Sequence, residues 1–456
     1  MKQLEQTLTE GSLSKKILIF SIPLMFSNLL QVLFNMADLA VVGNFAGSNS
    51  LGSVGSTTIL VGLFTGFLIG LGGGINVLVA LYIGARNEKE VKETVSTSYL
   101  LCIVMGVLLL LIGVLGARSI LSLMNTKPEL MDGAVLYLRI YFLGLPALAI
   151  YNCGNAILSA AGNTKKPLIY LAIAGIVNVV LNLVFVIGFH LDVAGVAIAS
   201  IISQYISAFL ITYSLTHDSQ IYSVSLSDII SLKRASKVVK KDKLVSLLKL
   251  GLPAGFQNVI FMFANLFVQA GVNSFSATMV SGNSAAANAD SLVYEVMAAF
   301  YVACSSFMGQ NLGAKKKERV LKSYFISLTY SFLIGLLLGL LILFMGPAFL
   351  SLFTSDADVV DAGMYRLKIM SVSYAISAFM DCTIAASRGL GKTVVPTIIV
   401  IIGSCIFRVI WIYTIFAYFK TIPSLYLLYI FSWAITAIAE IIYFHKVYKE
   451  STASLA

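Results

Sequence analysis

Long apolar runs are the feature that most constrains this chain. Ile17 to Val42, Leu100 to Leu115 and Ser323 to Met345 are examples. Each is near or beyond the ~20 residues that cross ~30 Å of hydrocarbon as a helix rising 1.5 Å per residue. Charged residues make up only 11% of the chain, against about 25% in soluble domains, so a soluble core would have almost nothing to cover it. Apolar stretches between charged or Gly/Pro/Asn-rich breaks predict twelve membrane-spanning helices, at 17–42, 51–83, 94–117, 134–158, 167–190, 194–215, 247–272, 285–311, 323–345, 364–386, 394–418 and 424–445. The expected fold is an all-α polytopic membrane protein.

Of the 31 Lys and Arg, 24 lie in, or within three residues of, the N-terminus, the loops after even-numbered spans and the C-terminal tail; the loops after odd-numbered spans hold only Arg118, Lys127 and Lys420. The positive-inside rule then places both termini in the cytoplasm, in a cell (plasma or inner) membrane. The net charge of +10 reads as this topology signal and as contact with anionic lipid head groups, with no nucleic-acid partner. The connection Thr216 to Ser246 carries Lys233, Arg234, Lys237, Lys240, Lys241 and Lys243. It reads as a cytoplasmic basic linker (216–246) between lobes at 1–215 and 247–456. Met1 to Lys16 is polar and lacks a signal-peptide pattern. The cysteines (Cys102, Cys153, Cys304, Cys382, Cys405) all lie in apolar runs, without disulfide or metal spacing.

The halves repeat. Ile22-Pro23-Leu24-Met25-Phe26-Ser27-Asn28 returns as Leu252-Pro253-Ala254-Gly255-Phe256-Gln257-Asn258, and Asn35 as Asn265, 230 residues on. Ile83-Gly84-Ala85-Arg86 returns as Leu312-Gly313-Ala314-Lys315, and Gly162 and Pro167 as Gly391 and Pro396, at an offset of 229. Six spans is an even number, so both halves enter the membrane in the same direction, as in parallel-repeat transporters with a cleft between their halves. A passive ion channel remains an alternative at this point. An intramembrane enzyme would need a nucleophile–base pair, and none is visible. Gly389-Leu390-Gly391-Lys392-Thr393 resembles the end of a P-loop, but the required first Gly falls on Ala386 and no strand precedes it.

These repeats carry a resemblance. Pro23, Gln31, Asn35, Asp38 and Val42-Gly43 in the first span, Gly84-Ala85-Arg86, Ala161-Gly162-Asn163-Thr164-Lys165, Gly309-Gln310-Asn311-Leu312-Gly313-Ala314 and Arg388-Gly389-Leu390-Gly391-Lys392-Thr393 together resemble the multidrug and toxic compound extrusion (MATE) family. The resemblance covers nearly the whole chain. It implies two pseudo-symmetric six-helix lobes forming a V. It also implies a secondary antiporter exporting amphipathic, often cationic, drugs against an inward flow of H⁺ or Na⁺.

Asp38 is the foremost candidate for ion coupling. A carboxylate in an apolar helix costs about 3 kcal/mol at the bilayer centre, and Asp38 matches the family's first-helix Asp. A structural interhelical hydrogen bond is the alternative. Asn178 and Asn182 share one face of span five at i, i+4. With Ser200 of span six and Asn35 they are the expected companions of Asp38, or else packing amides. The family often has Asp at the Asn182 position, which puts a two-carboxylate relay in doubt here. Where the Na⁺-driven branch has a seventh-helix Glu this chain has Phe261, and the tenth-helix Asp falls on Ser377, one turn before Asp381. Single-carboxylate chemistry favours H⁺, with Na⁺ at Asp38 as the alternative; no other cofactor is expected.

Asp290, Glu295 and Asp381 are further intramembrane acids, poised to bind a cationic substrate or to pair with Arg139 or Arg408. Tyr294, Tyr301, Phe64 and Phe67 suit a greasy, adaptable drug cavity, though such residues also face lipid or pack helices. The expectation is a monomeric exporter of amphipathic organic cations. The nearest rival is a lipid-linked precursor flippase of the same superfamily.

Overall fold

The structure is a computed structural model that describes residues 7–218, 220–225 and 240–453. Lys233, Arg234 and Lys237 of the predicted linker lie outside the described residues. The helices run α1 (Leu13–Phe45), α2 (Ser48–Gly84), α3 (Glu88–Leu123), α4 (Pro128–Phe142), α5 (Leu145–Ala160), α6 (Lys165–Gly188), α7 (Asp192–His217), α8 (Lys241–Val272), α9 (Ala277–Gly313), α10 (Lys317–Leu350), α11 (Ala357–Gly389), α12 (Val394–Phe419) and α13 (Ile422–Thr452). Eleven are long and apolar enough to cross a membrane, and α4 with α5 form a twelfth span bent by 48°. The bend falls at Gly144-Leu145-Pro146, inside what the sequence presented as one run at 134–158. Proline removes a backbone donor and crowds the preceding turn.

The most apolar helices are the least buried, as a lipid solvent requires. The most apolar helix, α3, buries 28% of its most apolar window and α10 only 22%, whereas α2 and α11 bury 72%. Leu115, Phe344 and Ile442 stand fully out from the surface; water would not tolerate so extensive a greasy exterior.

Contacts divide the chain into two compact units. Unit 1 holds Phe26–Gly255, and unit 2 holds Leu8–Met25 with the described residues from Phe256 on. α1 and α8 therefore each change units just past their internal prolines, Pro23 and Pro253. Within unit 1 the first turns of α8 press on α2 so closely that a Cβ on Gly70 would lie 2.5 Å from the Gly255 nitrogen, and one on Gly74 2.5 Å from that of Gly251. Lys243 anchors the same segment, donating to the Glu90 carboxylate and, at 2.8 Å, to the Tyr82 hydroxyl. Within unit 2 the residues before α1 are held by the loop after α9. Gln310 Oε1 accepts from the Leu8 amide at 3.2 Å, Lys316 donates to the Thr9 carbonyl at 2.9 Å and Arg319 to that of Gly11 at 2.9 Å. Leu13, Ile17, Phe20 and Leu24 then pack on Phe300 and Phe307 of α9.

The short repeated motifs prove to be turn chemistry. Gly162 and Gly391 end their helices with φ of 89° and 79°, and Arg86 and Lys315 sit at 54° and 58°. A glycine reaches this region without a Cβ clash. The π-helical turn Val184–Gly188 in α6 also recurs, as Ile412–Phe416 in α12.

Candidate functional site

Unit 1 brings Asp38 together with three of its four expected companions. Asn182 of α6 donates from Nδ2 to Asp38 Oδ1 at 2.5 Å, and Ser200 of α7 donates to Oδ2 at 3.4 Å. The same Asn182 amide donates to Asn178 Oδ1 at 3.3 Å. Asn178, Asn182 and Ser200 are all buried, so polar groups of α6 and α7 close on the acid of α1. Asn182 Oδ1, also buried, has no hydrogen-bond partner among the described residues. Tyr137 and Tyr141 of α4 lie within electrostatic reach of Asp38; sequence reasoning passed over both, although they share a helix face at i, i+4. Asn35 lies one turn before Asp38 on α1 but is exposed, apart from these bonds. Phe64 packs against Phe142 with ring centroids 4.7 Å apart and the rings tilted by 48°.

Unit 2 sorts its acids into two places. Asp290 is taken by an arginine other than the two proposed from sequence. Arg366 donates from Nε at 2.8 Å and Nη2 at 2.5 Å to Asp290 Oδ2, and from Nη1 to Asn283 Oδ1 at 2.6 Å. Tyr374 donates to the other Asp290 oxygen, and Tyr426 donates to Asn283 Oδ1 at 2.8 Å. Glu295, Tyr294 and Asp381 instead converge. Tyr294 lies within electrostatic reach of Asp381, Glu295 and Arg388 together, and Asp381 within reach of Arg388 and Arg408.

Arg408 is fully buried. Its Nη1 donates to Asn265 Oδ1 at 2.8 Å, and its guanidinium lies 4.6 Å from the Phe261 ring centroid, 4.7 Å from Tyr429 and 5.8 Å from Trp433. Its Nε donates to the Ser432 hydroxyl at 3.3 Å, so the cation is stabilised by ring faces, an amide and a hydroxyl rather than by a contact carboxylate. Phe261, where the Na⁺-driven branch would place a Glu, is one wall of that cage. At the 229-residue offset Asn178 falls on Phe407, beside Arg408, so the repeat that carries amides around Asp38 in unit 1 carries a guanidinium among rings in unit 2. A further acid, Glu440 of α13, escaped the sequence reading. It is fully buried and within electrostatic reach of Arg388 and Asp381. Its signal was the one used for Asp38: a single carboxylate in an apolar run.

Comparison with known proteins accounts for this architecture. The family model MatE matches twice, over residues 23–184 and 253–414, in register with the internal repeat. The chain is 26% identical over 400 residues to Probable multidrug resistance protein YoeA of Bacillus subtilis, covering 86% of this chain and 85% of that one. It is 26% identical over 398 residues to Probable multidrug resistance protein NorM of Thermotoga maritima, covering 85% and 82%. Among solved structures, an outward-facing multidrug resistance MATE family transporter of the MOP superfamily superposes with a TM-score of 0.90 at 22% identity, over 99% of this chain and 100% of that chain. The doubled match, the twelve spans and the shared fold make the chain a member of the MatE (multidrug and toxic compound extrusion) family: a multi-pass membrane transporter and not an enzyme.

Proposed function

We propose that this transporter exports amphipathic organic cations in exchange for H⁺, and that Asp38 carries the proton. The observation that supports the reading most directly is the Asp38–Asn182 bond beside an unpartnered Asn182 Oδ1. A charged Asp38 accepts from the Asn182 NH₂ and the Ser200 hydroxyl. A protonated Asp38 becomes a donor, and a half-turn of the Asn182 amide offers it Oδ1. The same half-turn breaks the bond from Asn182 to Asn178, so one proton switches contacts among α1, α6 and α7. A two-state element biased by the coupling ion is what exchange requires. Na⁺ would instead need several oxygens directed at one point, whereas Asp38 is met by two donors.

The acids of unit 2 support a cationic cargo. With Asp290 matched by Arg366, unit 2 is left with Glu295, Asp381 and Glu440 against Arg388 and Arg408, three acids to two bases, and of these Asp381 and Glu440 lie within electrostatic reach of Arg388. The relatives are named for multidrug resistance, which supports export of small organic molecules. The orientation with both termini in the cytoplasm and a monomeric state belong to the same proposal.

The test is cargo efflux from proteoliposomes with pH and Na⁺ gradients imposed separately. Asp38→Asn should abolish gradient-driven efflux while expression and melting stay as in wild type. Robust efflux from Asp38→Asn under either gradient would refute the coupling role. Anionic cargo is the second reading, favoured by the two buried arginines of unit 2. A relative 22% identical over 371 residues is named FAD transporter, of Shewanella oneidensis. Efflux of lipophilic anions above lipophilic cations would establish it.

A further inference from the structure

Glu440 sits in α13 with both carboxylate oxygens buried and without a hydrogen-bond partner among the described residues. A buried carboxylate that keeps its charge needs a contact cation or several donors, and this one has neither. The helices packed most closely on α13 are α11 and α12. From α11, Arg388 and Asp381 face Glu440; Tyr443 adjoins it on α13, and Arg408 of α12 reaches Asp381.

Arg388 has two acceptors to choose from. Its Nη2 donates to Gln257 Oε1 of α8 at 2.8 Å, while its Nε has no partner among the described residues. A charged Glu440 would draw the guanidinium toward α13. A neutral Glu440 leaves it on Gln257, which is the arrangement observed. All these residues belong to unit 2, whereas Asp38 belongs to unit 1.

We propose that Glu440 is a second proton-binding site, and that its occupancy decides whether Arg388 is held by Gln257 or by Glu440. The proton comes from water and adds to one Glu440 carboxylate oxygen; Arg388 keeps its charge throughout. The inference rests on the proton-exchange reading only for what the bound proton achieves, since binding itself is measurable without transport.

The experiment is pH-difference infrared spectroscopy on the full chain in lipid nanodiscs, following the carbonyl band of protonated carboxyl groups. Glu440→Gln should lose one titrating band while keeping the wild-type melting profile; Asp38→Asn should lose a different one, and the double variant both. If Glu440→Gln does not fold, Glu440→Asp takes its place and should move that band without removing it. A Glu440→Gln spectrum identical to wild type, or an unmoved band in Glu440→Asp, overturns the proposal. So does a band that answers to added Na⁺ at fixed pH and not to pH. Loss of the Asp38 band alone would sink this site and leave the coupling role of Asp38 standing; loss of the Glu440 band alone would do the reverse.

Discussion

Cutting the Asp290–Arg366 pair from one side should cost far more than replacing both partners. Arg366 is only 7% exposed and directs two N–H groups at one Asp290 oxygen, at 2.8 and 2.5 Å. Asp290→Asn leaves that guanidinium with Asn283 and the faces of Tyr426 and Tyr429 but no counter-ion. Orphaning one member of a buried ion pair costs about 3–5 kcal/mol. In the double variant Asp290→Asn/Arg366→Met no buried charge remains. What is lost then is the hydrogen bonding of Tyr374 and Asn283, about 1 kcal/mol each. Arg366→Met should orphan Asp290 at a similar cost, so a double-mutant cycle on reversible unfolding in bicelles should return a coupling energy of at least about 4 kcal/mol. Interhelical hydrogen bonds in membranes average only about 0.6 kcal/mol, so a coupling below about 1 kcal/mol would refute a desolvated ion pair here. Folded Asp290→Asn protein should also keep the wild-type ranking of exported cations. If it folded as well as wild type but lost cation efflux, Asp290 would bind cargo and the structural reading would be wrong.

Gly74→Ala should destabilise by about 1–3 kcal/mol, because its Cβ would strike the Gly251 backbone, whereas the neighbouring Gly73→Ala, with open space around it, should be neutral or slightly stabilising in a thermal melt; equal melts would deny the close α2–α8 packing. Phe261→Ala removes one ring face from Arg408 and should lower stability by about 0.5–2 kcal/mol while gradient-driven efflux persists in the proteoliposome assay. Single cysteines at Lys240 and Asp356, on a cysteine-free background, should label from opposite sides of the membrane, Lys240 from the cytoplasm; labelling of both from one side would contradict twelve alternating spans.

The spans, their number and the doubled half were legible because hydrophobic length and repeated motifs are properties of the chain alone. The Asp38 cluster was legible because helix spacing and depth along three spans fix which side chains share a level. The bend between α4 and α5 was readable in Gly144 and Pro146 but lay hidden inside a continuous apolar run. Pairing in unit 2 was not legible. Arg366, Arg388 and Arg408 all stand on long apolar helices, and only packing decides that the first meets Asp290 while Arg408 settles among rings. Nor does any local signal announce that α1 and α8 change units at their prolines, since the residues on either side are equally apolar.

That exchange has a consequence for biosynthesis. Residues 8–25 are made before Phe26–Gly255, yet the α9 and α10 surfaces that receive them are made after it. They must wait in the bilayer while all of Phe26–Gly255 is translated. The N-terminal half, in turn, keeps the glycine groove of α2 open until the ribosome delivers residues 250–255. Neither half is finished when its own six helices have been inserted, so co-expressed fragments split near residue 230 should recover a complete protein only when each supplies the other's missing segment.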